Sequence, residues 1–66
     1  MKDFIVRMSD GRKYFIRGEQ MKDILDQIGN ARMTMDGFLD VRIPTTYEYV
    51  TINTNQIVSI KEDDEF

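Results

Sequence analysis

The apolar residues of this chain follow two different periods, and the change between them limits the folds open to it. Four of them recur at the helical spacing i, i+3, i+4, i+7, namely Met21, Ile24, Leu25 and Ile28. This stripe predicts a helix over residues 19–28, which Gly29 and Asn30 are expected to end because both accept the left-handed conformation. Elsewhere apolar residues alternate with polar ones, as is typical of strands with one face toward water.

The first two strands are predicted to form a hairpin. Residues 4–8 and 12–17 are strand-like runs on either side of Asp10-Gly11, and Asp-Gly between such runs is a strong signal for a tight turn. A two-residue loop would place Arg7 opposite Tyr14, whereas a three-residue loop would place it opposite Lys13. Like charges directly opposite one another are unfavourable in a sheet. The charges therefore predict the two-residue loop.

Strand character returns at Arg32 and continues along the rest of the fold. Leu39, Val41 and Ile43 alternate with charged residues, and the segments 47–52 and 57–60 are rich in β-branched or aromatic side chains. Asp36-Gly37 has two interpretations, a second hairpin turn or a bulge within one long strand. The predicted order is thus a β-hairpin, one α-helix and three to four antiparallel strands.

That order, ββαβββ, predicts an α+β fold in which the helix packs on a small curved sheet or on an SH3-like or Sm-like partial barrel. From residue 52 to 60, a strand, an asparagine-containing turn and a short isoleucine-rich strand are similar to the closing strands of such barrels. The resemblance is confined to that segment and includes no diagnostic motif. We expect a single domain over residues 1–60 and an acidic flexible tail over residues 61–66.

The chain lacks the usual means of reinforcing a small core. Its 66 residues include no cysteine and no histidine, so disulfides and the commonest zinc and copper ligands are absent. A core of this size supplies about 3–5 kcal/mol. Self-association is the remaining way to bury more surface, so we predict a homo-oligomer.

The sequence also predicts the cellular compartment of the protein. It contains no run of about 18 apolar residues, and no apolar signal-peptide segment follows Met1. We therefore expect Met1 to be the initiator and expect no membrane partner. The absence of cysteine fits a reducing compartment, so a cytoplasmic protein is predicted.

Catalysis is not expected from this set of residues. Without histidine or cysteine the nucleophile would be a hydroxyl, a lysine or a carboxylate, and no hydroxyl lies in a nucleophile-elbow or Ser-x-x-Lys context. The four glycines stand singly, so no loop cradles a phosphate. Asp36 and Asp40 lack the alternating donors of a calcium loop. We expect a protein that is not an enzyme and that has no cofactor and no metal site.

The leading expectation is a small accessory or regulatory module that acts through protein–protein contacts. Tyr47 and Tyr49 lie on one side of a predicted strand, with Val50 and Ile52 on the other. Tyrosine offers a large contact area at low entropic cost, so these two residues are the predicted partner-binding patch. They could equally form cross-strand pairs that stabilise the sheet.

Two alternatives follow from the distribution of charge. Residues 1–18 carry five basic and two acidic residues, whereas the remainder carries four basic and ten acidic ones. A basic hairpin with the rings of Tyr14 and Phe15 interleaved can hold phosphates and stack a base. The residues predicted for this site are Arg7, Arg12, Lys13, Tyr14 and Arg17. The purely structural interpretation makes Phe15 a core residue and these charges solubilising. The acidic end predicts an inhibitor that imitates nucleic-acid charge, using Glu62, Asp63, Asp64 and Glu65.

Overall fold

The structure is a computed structural model, and it describes residues 1–63. Its elements, in chain order, are β1 (Lys2–Met8), β2 (Lys13–Gly18), α1 (Met21–Thr34), β3 (Phe38–Arg42), β4 (Tyr49–Asn53), a short 3₁₀ helix (Thr54–Gln56) and β5 (Ile57–Glu62). The predicted α+β class and the order ββαβββ are confirmed.

The five strands form one antiparallel sheet in the order β4-β3-β2-β1-β5. The strand β1 therefore lies inside the sheet, between β2 and β5. The strands β2 and β3 are joined by a single register pair, Phe15 with Arg42, so the sheet is loosely held at that point. Over the described residues the sheet does not close into a barrel, which agrees with the predicted curved sheet or partial barrel.

One face of the sheet packs against α1, and we call it the inner face. The buried apolar cluster between the helix and the sheet consists of Phe4, Val6, Met8, Ile16, Ile24, Ile28, Val41 and Ile52. The members from β1 are every second residue of the strand, because successive side chains of a strand point to opposite faces. Leu25, a member of the predicted helical stripe, is 55% exposed and lies outside this cluster.

The loop of the first hairpin has three residues, so the predicted two-residue loop is wrong. The Met8 amide donates to the Arg12 carbonyl at 2.8 Å, and Gly11 closes the turn with a φ of +88°. As a result Arg7 lies directly opposite Lys13, the arrangement that the charges disfavour.

Burial explains why this like-charged pair is tolerated. In the observed register Ile16 lies opposite Phe4, and Tyr14 lies opposite Val6, all on the inner face. A shift of one residue would turn Ile16 to the other face. Burying a side chain of that size stabilises the fold by about 1.5–3 kcal/mol, whereas an unfavourable cross-strand pair costs about 0.2–1 kcal/mol. The core therefore decides the register, and it leaves Phe15 on the face away from the core.

The helix α1 is longer than the sequence predicted. It continues through Gly29 to Thr34, and Ala31 is buried one turn beyond Ile28. Asp36 and Gly37 follow with φ values of 56° and 90°. They form the turn from α1 into β3, so this segment is neither a hairpin turn nor a bulge within a strand.

Thr54 connects the end of the helix to the last strands. Its buried hydroxyl and its amide both donate to the carbonyl of Gly37, at 2.8 Å and 2.7 Å. From the last turn of α1, Arg32 donates to the Thr54 carbonyl at 3.1 Å and to its hydroxyl at 3.3 Å. These bonds fix the start of β5 against the helix.

The strand β5 includes two residues that the sequence assigned to the acidic tail. Lys61 and Glu62 pair with β1, and the amide of Asp63 donates to the carbonyl of Asp3 at 2.9 Å. The rest of the predicted tail, residues 64–66, lies outside the described residues.

Candidate functional site

The face of the sheet opposite α1, which we call the outer face, carries no buried side chain over the described part of the chain. Its members follow from the register, because residues directly opposite in an antiparallel pair point to the same side. None of them belongs to the buried cluster. From β5 to β4 they are Ser59, Lys61, Asp3, Ile5, Arg7, Lys13, Phe15, Arg17, Phe38, Asp40, Arg42, Tyr49, Thr51 and Asn53. At the β3–β4 end this face borders the helix, because Phe38, Asp40 and Thr51 also line a groove of about 450 Å³ with residues of α1.

A row of side chains crosses all five strands on this face. In spatial order it consists of Tyr49, Arg42, Phe15, Ile5 and Lys61, and each is the direct register partner of the next. Because neighbouring strands lie about 4.8 Å apart, the row spans roughly 19 Å. It brings two aromatic rings and two cations onto one exposed surface.

Arg42 and Tyr49 hold one another in place at one end of this row. The guanidinium carbon of Arg42 lies 4.8 Å from the centre of the Tyr49 ring, and its Nη2 donates to the Tyr49 hydroxyl at 2.8 Å. A cation over an aromatic face is attracted by the ring, which restricts both groups. Tyr49 nevertheless remains 65% exposed, so the ring stays accessible to a partner.

Arg7 and Lys13 face one another on the outer face without a counter-charge. Within the described part of the chain neither forms an ion pair. Like charges in directly opposite positions destabilise a sheet. An anion bound between the two side chains would remove this repulsion.

Both acidic residues of the outer face are engaged with neighbours. Asp3 accepts a hydrogen bond from Nε of Arg17 at 3.1 Å, and Asp40 accepts one from the Thr51 hydroxyl at 2.6 Å. The outer face holds five basic and two acidic residues, a net +3, so the remaining residues of this chain of net charge −3 carry −6. The outer face is therefore basic although the chain as a whole is acidic.

Two cations that do not belong to the outer face have raised pKa values. A hydrogen bond and ion pair to Glu62, 2.9 Å away, raise the pKa of Lys2 above its ordinary value. A hydrogen bond to Tyr14 raises the pKa of Arg12, and the charge of Asp10 contributes less. Both side chains stay protonated at neutral pH, so the charge pattern is constant there.

The structure separates the residues that were predicted to bind nucleic acid. Arg7, Lys13 and Arg17 lie together on the outer face, because the observed register places Lys13 directly opposite Arg7. Arg12 lies in the hairpin turn, and Tyr14 packs on the inner face against the core. Tyr14 therefore does not share the surface of the three outer cations, which have Phe15 between them instead.

The two predicted partner-binding tyrosines do not share a strand face. Tyr49 is the first residue of β4 and lies on the outer face. Tyr47 precedes the strand, in the loop from β3, and has a φ of +60°. Of the predicted acidic surface, Glu62 lies in β5 beside Lys2, Asp63 follows it, and the other two acids lie outside the described residues.

Sequence reasoning missed three members of the row, Ile5, Arg42 and Lys61, and it considered Phe15 as a stacking ring without choosing it as a site residue. Phe15 could have been chosen, because it lies midway between Lys13 and Arg17 and alternation along the strand puts all three on one face. Arg42 and Lys61 could not, since they join the row only through the order of strands in the sheet.

A second exposed surface lies between α1 and β5. It is an apolar groove of about 440 Å³, lined mainly by Met21, Leu25, Ile28, Ile57, Val58 and Ile60. Among residues 1–63 no three acidic side chains cluster in a way that could hold a metal ion. No helix in the same range is long and apolar enough to cross a membrane.

The fold and these surfaces define an α+β protein with one helix-covered face and one open face that is basic and aromatic. No protein-family model matches the chain, and no curated protein or solved structure gives a significant match. Its function must therefore follow from the geometry and charge of the chain itself.

Proposed function

We propose that this protein binds single-stranded nucleic acid on the outer face of its sheet and catalyses no reaction on it. The observation that carries this proposal is the row across the outer face that contains two rings and two cations, with Arg42 between Tyr49 and Phe15. Aromatic rings stack on bases, while arginine and lysine neutralise phosphates. Sheet faces with exposed aromatic side chains are a recurrent way of holding single-stranded RNA.

A single strand fits this surface better than a duplex. Proteins read duplex DNA by placing a helix or a two-stranded ribbon in the major groove. The helix of this protein covers the opposite face and carries Asp23 and Asp26. The bases of a single strand are free to leave their stack, so they can reach the rings of Phe15 and Tyr49.

The net negative charge of the chain does not oppose this proposal. The molecule measures 34 × 24 × 20 Å, and α1 with its acids lies behind the sheet. Charges further apart than about 8 Å are largely screened at physiological salt. The local net +3 of the outer face therefore outweighs the acids behind it for a strand that lies on the sheet. In the cytoplasm, where we expect the protein, such strands are chiefly RNA.

Titration of a labelled oligonucleotide at two salt concentrations tests this function. Single strands of about eight nucleotides, one of DNA and one of RNA, fit the range of sites known for small single-strand-binding domains. With three to four phosphates neutralised, affinity should fall roughly 20- to 50-fold between about 50 mM and about 200 mM salt. No binding of either strand at the lower salt concentration would remove the proposal.

Self-association is the second candidate activity, and the groove between α1 and β5 favours it. A second copy of the chain is the proposed occupant, because a twofold dimer buries the same apolar groove on both copies and so extends a thin core. The register shift beside Met8 and the charge of Lys61 disfavour pairing along the β5 edge, so we expect the grooves to pack together instead. Sedimentation equilibrium at micromolar concentration should give a dimer, and a monomer of 7.8 kDa would exclude it.

A further inference from the structure

The geometry points to a base-recognition pocket in the outer face, between β2 and β3, that takes the single ring of a pyrimidine and selects cytosine. This inference rests on the proposed binding of single strands, and it names the base that one part of the same surface reads. The pocket has a volume of about 160 Å³, and the residues that line it include Phe15, Arg17, Gln27, Asp40 and Tyr49.

The pocket lies where β2 and β3 separate beyond their one register pair. Phe15 lies opposite Arg42, and an unbroken antiparallel ladder would next place Arg17 opposite Asp40. The two strands do not pair at that position. From α1, Nε2 of Gln27 donates to the Arg17 carbonyl at 2.9 Å, so a helix side chain bonds to β2 beside the opening.

Two opposite charges line this opening without contacting one another. Arg17 and Asp40 both line the pocket, but among the described residues no ion pair joins them. Their neighbours engage only part of each group, since Arg17 bonds to Asp3 through Nε at 3.1 Å and Asp40 accepts the Thr51 hydroxyl on Oδ1 at 2.6 Å. The terminal guanidinium nitrogens and Oδ2 therefore remain for a ligand that donates at one point and accepts at another.

The size and the charges of the pocket select one base. Cavities of about 150 Å³ hold a single benzene-sized ring, so a pyrimidine fits better than a purine. The Watson–Crick edge of cytosine carries an amino donor beside two acceptors, N3 and O2. Aspartate accepts from this amino group, and arginine donates to ring nitrogen and carbonyl acceptors. Uracil has a carbonyl in place of the amino group, and that oxygen would lie against the carboxylate of Asp40.

The pocket is part of the row that crosses the outer face. Phe15, Arg42 and Tyr49 belong both to the row and to the lining of the pocket. A strand that lies along the row therefore passes over the opening, with aromatic surface beside the base that enters it. Contacts to phosphate position a strand, whereas contacts to base edges carry the sequence preference. Arg7 and Lys13 would thus hold any strand, and the pocket would discriminate between bases.

Four RNA strands test this assignment on the full chain, each of about eight nucleotides and uniform in uridine except for one central position that is C, U, A or G. The cytidine strand should bind roughly 5- to 100-fold more tightly than the all-uridine strand. In Asp40→Asn the difference should fall to about twofold or less, because the amide offers both a donor and an acceptor. Asp26→Asn changes the net charge equally on the exposed side of α1 and should keep the full preference.

The results separate the pocket from the proposed function. If the wild type binds all four strands equally, the assignment is refuted while the outer face stands. Tighter binding of a purine strand, an unchanged preference in Asp40→Asn or an equal loss of preference in Asp26→Asn also refutes it. If the wild type binds no strand, the proposed function has failed and the pocket fails with it. Because the preference compares strands on the same variant, it does not depend on how stable that variant is.

Discussion

The substitution Arg7→Glu should weaken the binding of a single strand roughly 10- to 100-fold and leave the protein folded. The variant loses one charge-assisted contact to a phosphate, worth about 1.5–3 kcal/mol. The slope of log affinity against log salt should also fall by about 0.7, the value for one phosphate on a single strand. Stability should be unchanged or slightly higher, because the introduced carboxylate would lie opposite Lys13 and replace a repulsion by an attraction.

Lys22→Glu is the matched control for this charge reversal. Lys22 lies on α1, on the far side of the sheet, where it forms only an exposed ion pair with Asp26 at 3.3 Å. Such pairs contribute little to stability. Both substitutions change the net charge equally, so equal losses of affinity in the two variants would show a non-specific charge effect and contradict a site on the outer face.

The second large effect concerns the packing that separates the two faces. Ile24→Ala removes a fully buried side chain, at 0% exposure, from the contact between α1 and the sheet. Truncations of this type cost about 2–5 kcal/mol. A core of this size supplies only about 3–5 kcal/mol in total. We therefore expect the variant to be largely unfolded at room temperature, as measured by circular dichroism during urea unfolding.

Met33→Ala is the control for this truncation on the same helix. Met33 has a similar size, but it is 85% exposed and lies outside both the core and the groove proposed for self-association. It should lose well under 1 kcal/mol, as is usual for surface substitutions. If the two variants unfold at the same urea concentration, the helix is not packed on the inner face as described.

Local sequence signals accounted for the order of the elements but not for the end of the helix or the register between strands. The stripe through Ile24 and Ile28 marked the helix, and the alternation of Leu39 and Val41 marked β3, because both signals depend on residues close in sequence. The end of the helix was misplaced. Gly29 can terminate a helix, but the burial of Ala31 against the core overrides its low helical propensity.

The hairpin register was also mispredicted from local signals, and the error concerns two residues of the proposed binding site. The prediction considered the repulsion between Arg7 and Lys13 but not the burial of Ile16. The burial contributes the larger free energy to folding. The structure thus keeps two like charges opposite one another on an exposed face. Places where a local rule is broken are expected at functional sites, and here the broken rule lies on the surface that we propose binds phosphate.

Two residues of the site could not be predicted from residues close to them in sequence. Lys61 reaches the outer row only because β5 pairs with β1 across more than fifty residues of sequence, and Arg42 only because β3 lies beside β2. The cations of the hairpin were identified from sequence, and both Tyr14 and Phe15 were considered as stacking rings. Because the loop is one residue longer than predicted, Phe15 and not Tyr14 shares the face of Arg7.

The most direct test of the outer-face site is an NMR titration that follows the side-chain Nε–Hε signals of the arginines. With an unlabelled single strand of about eight nucleotides, the signals of Arg7 and Arg42 should shift as binding saturates. The signal of Arg32, which bonds to Thr54 behind the sheet, should stay in place. Shifts at Arg32 with none at Arg7 and Arg42 would place the strand on the helical side and contradict a binding site on the outer face.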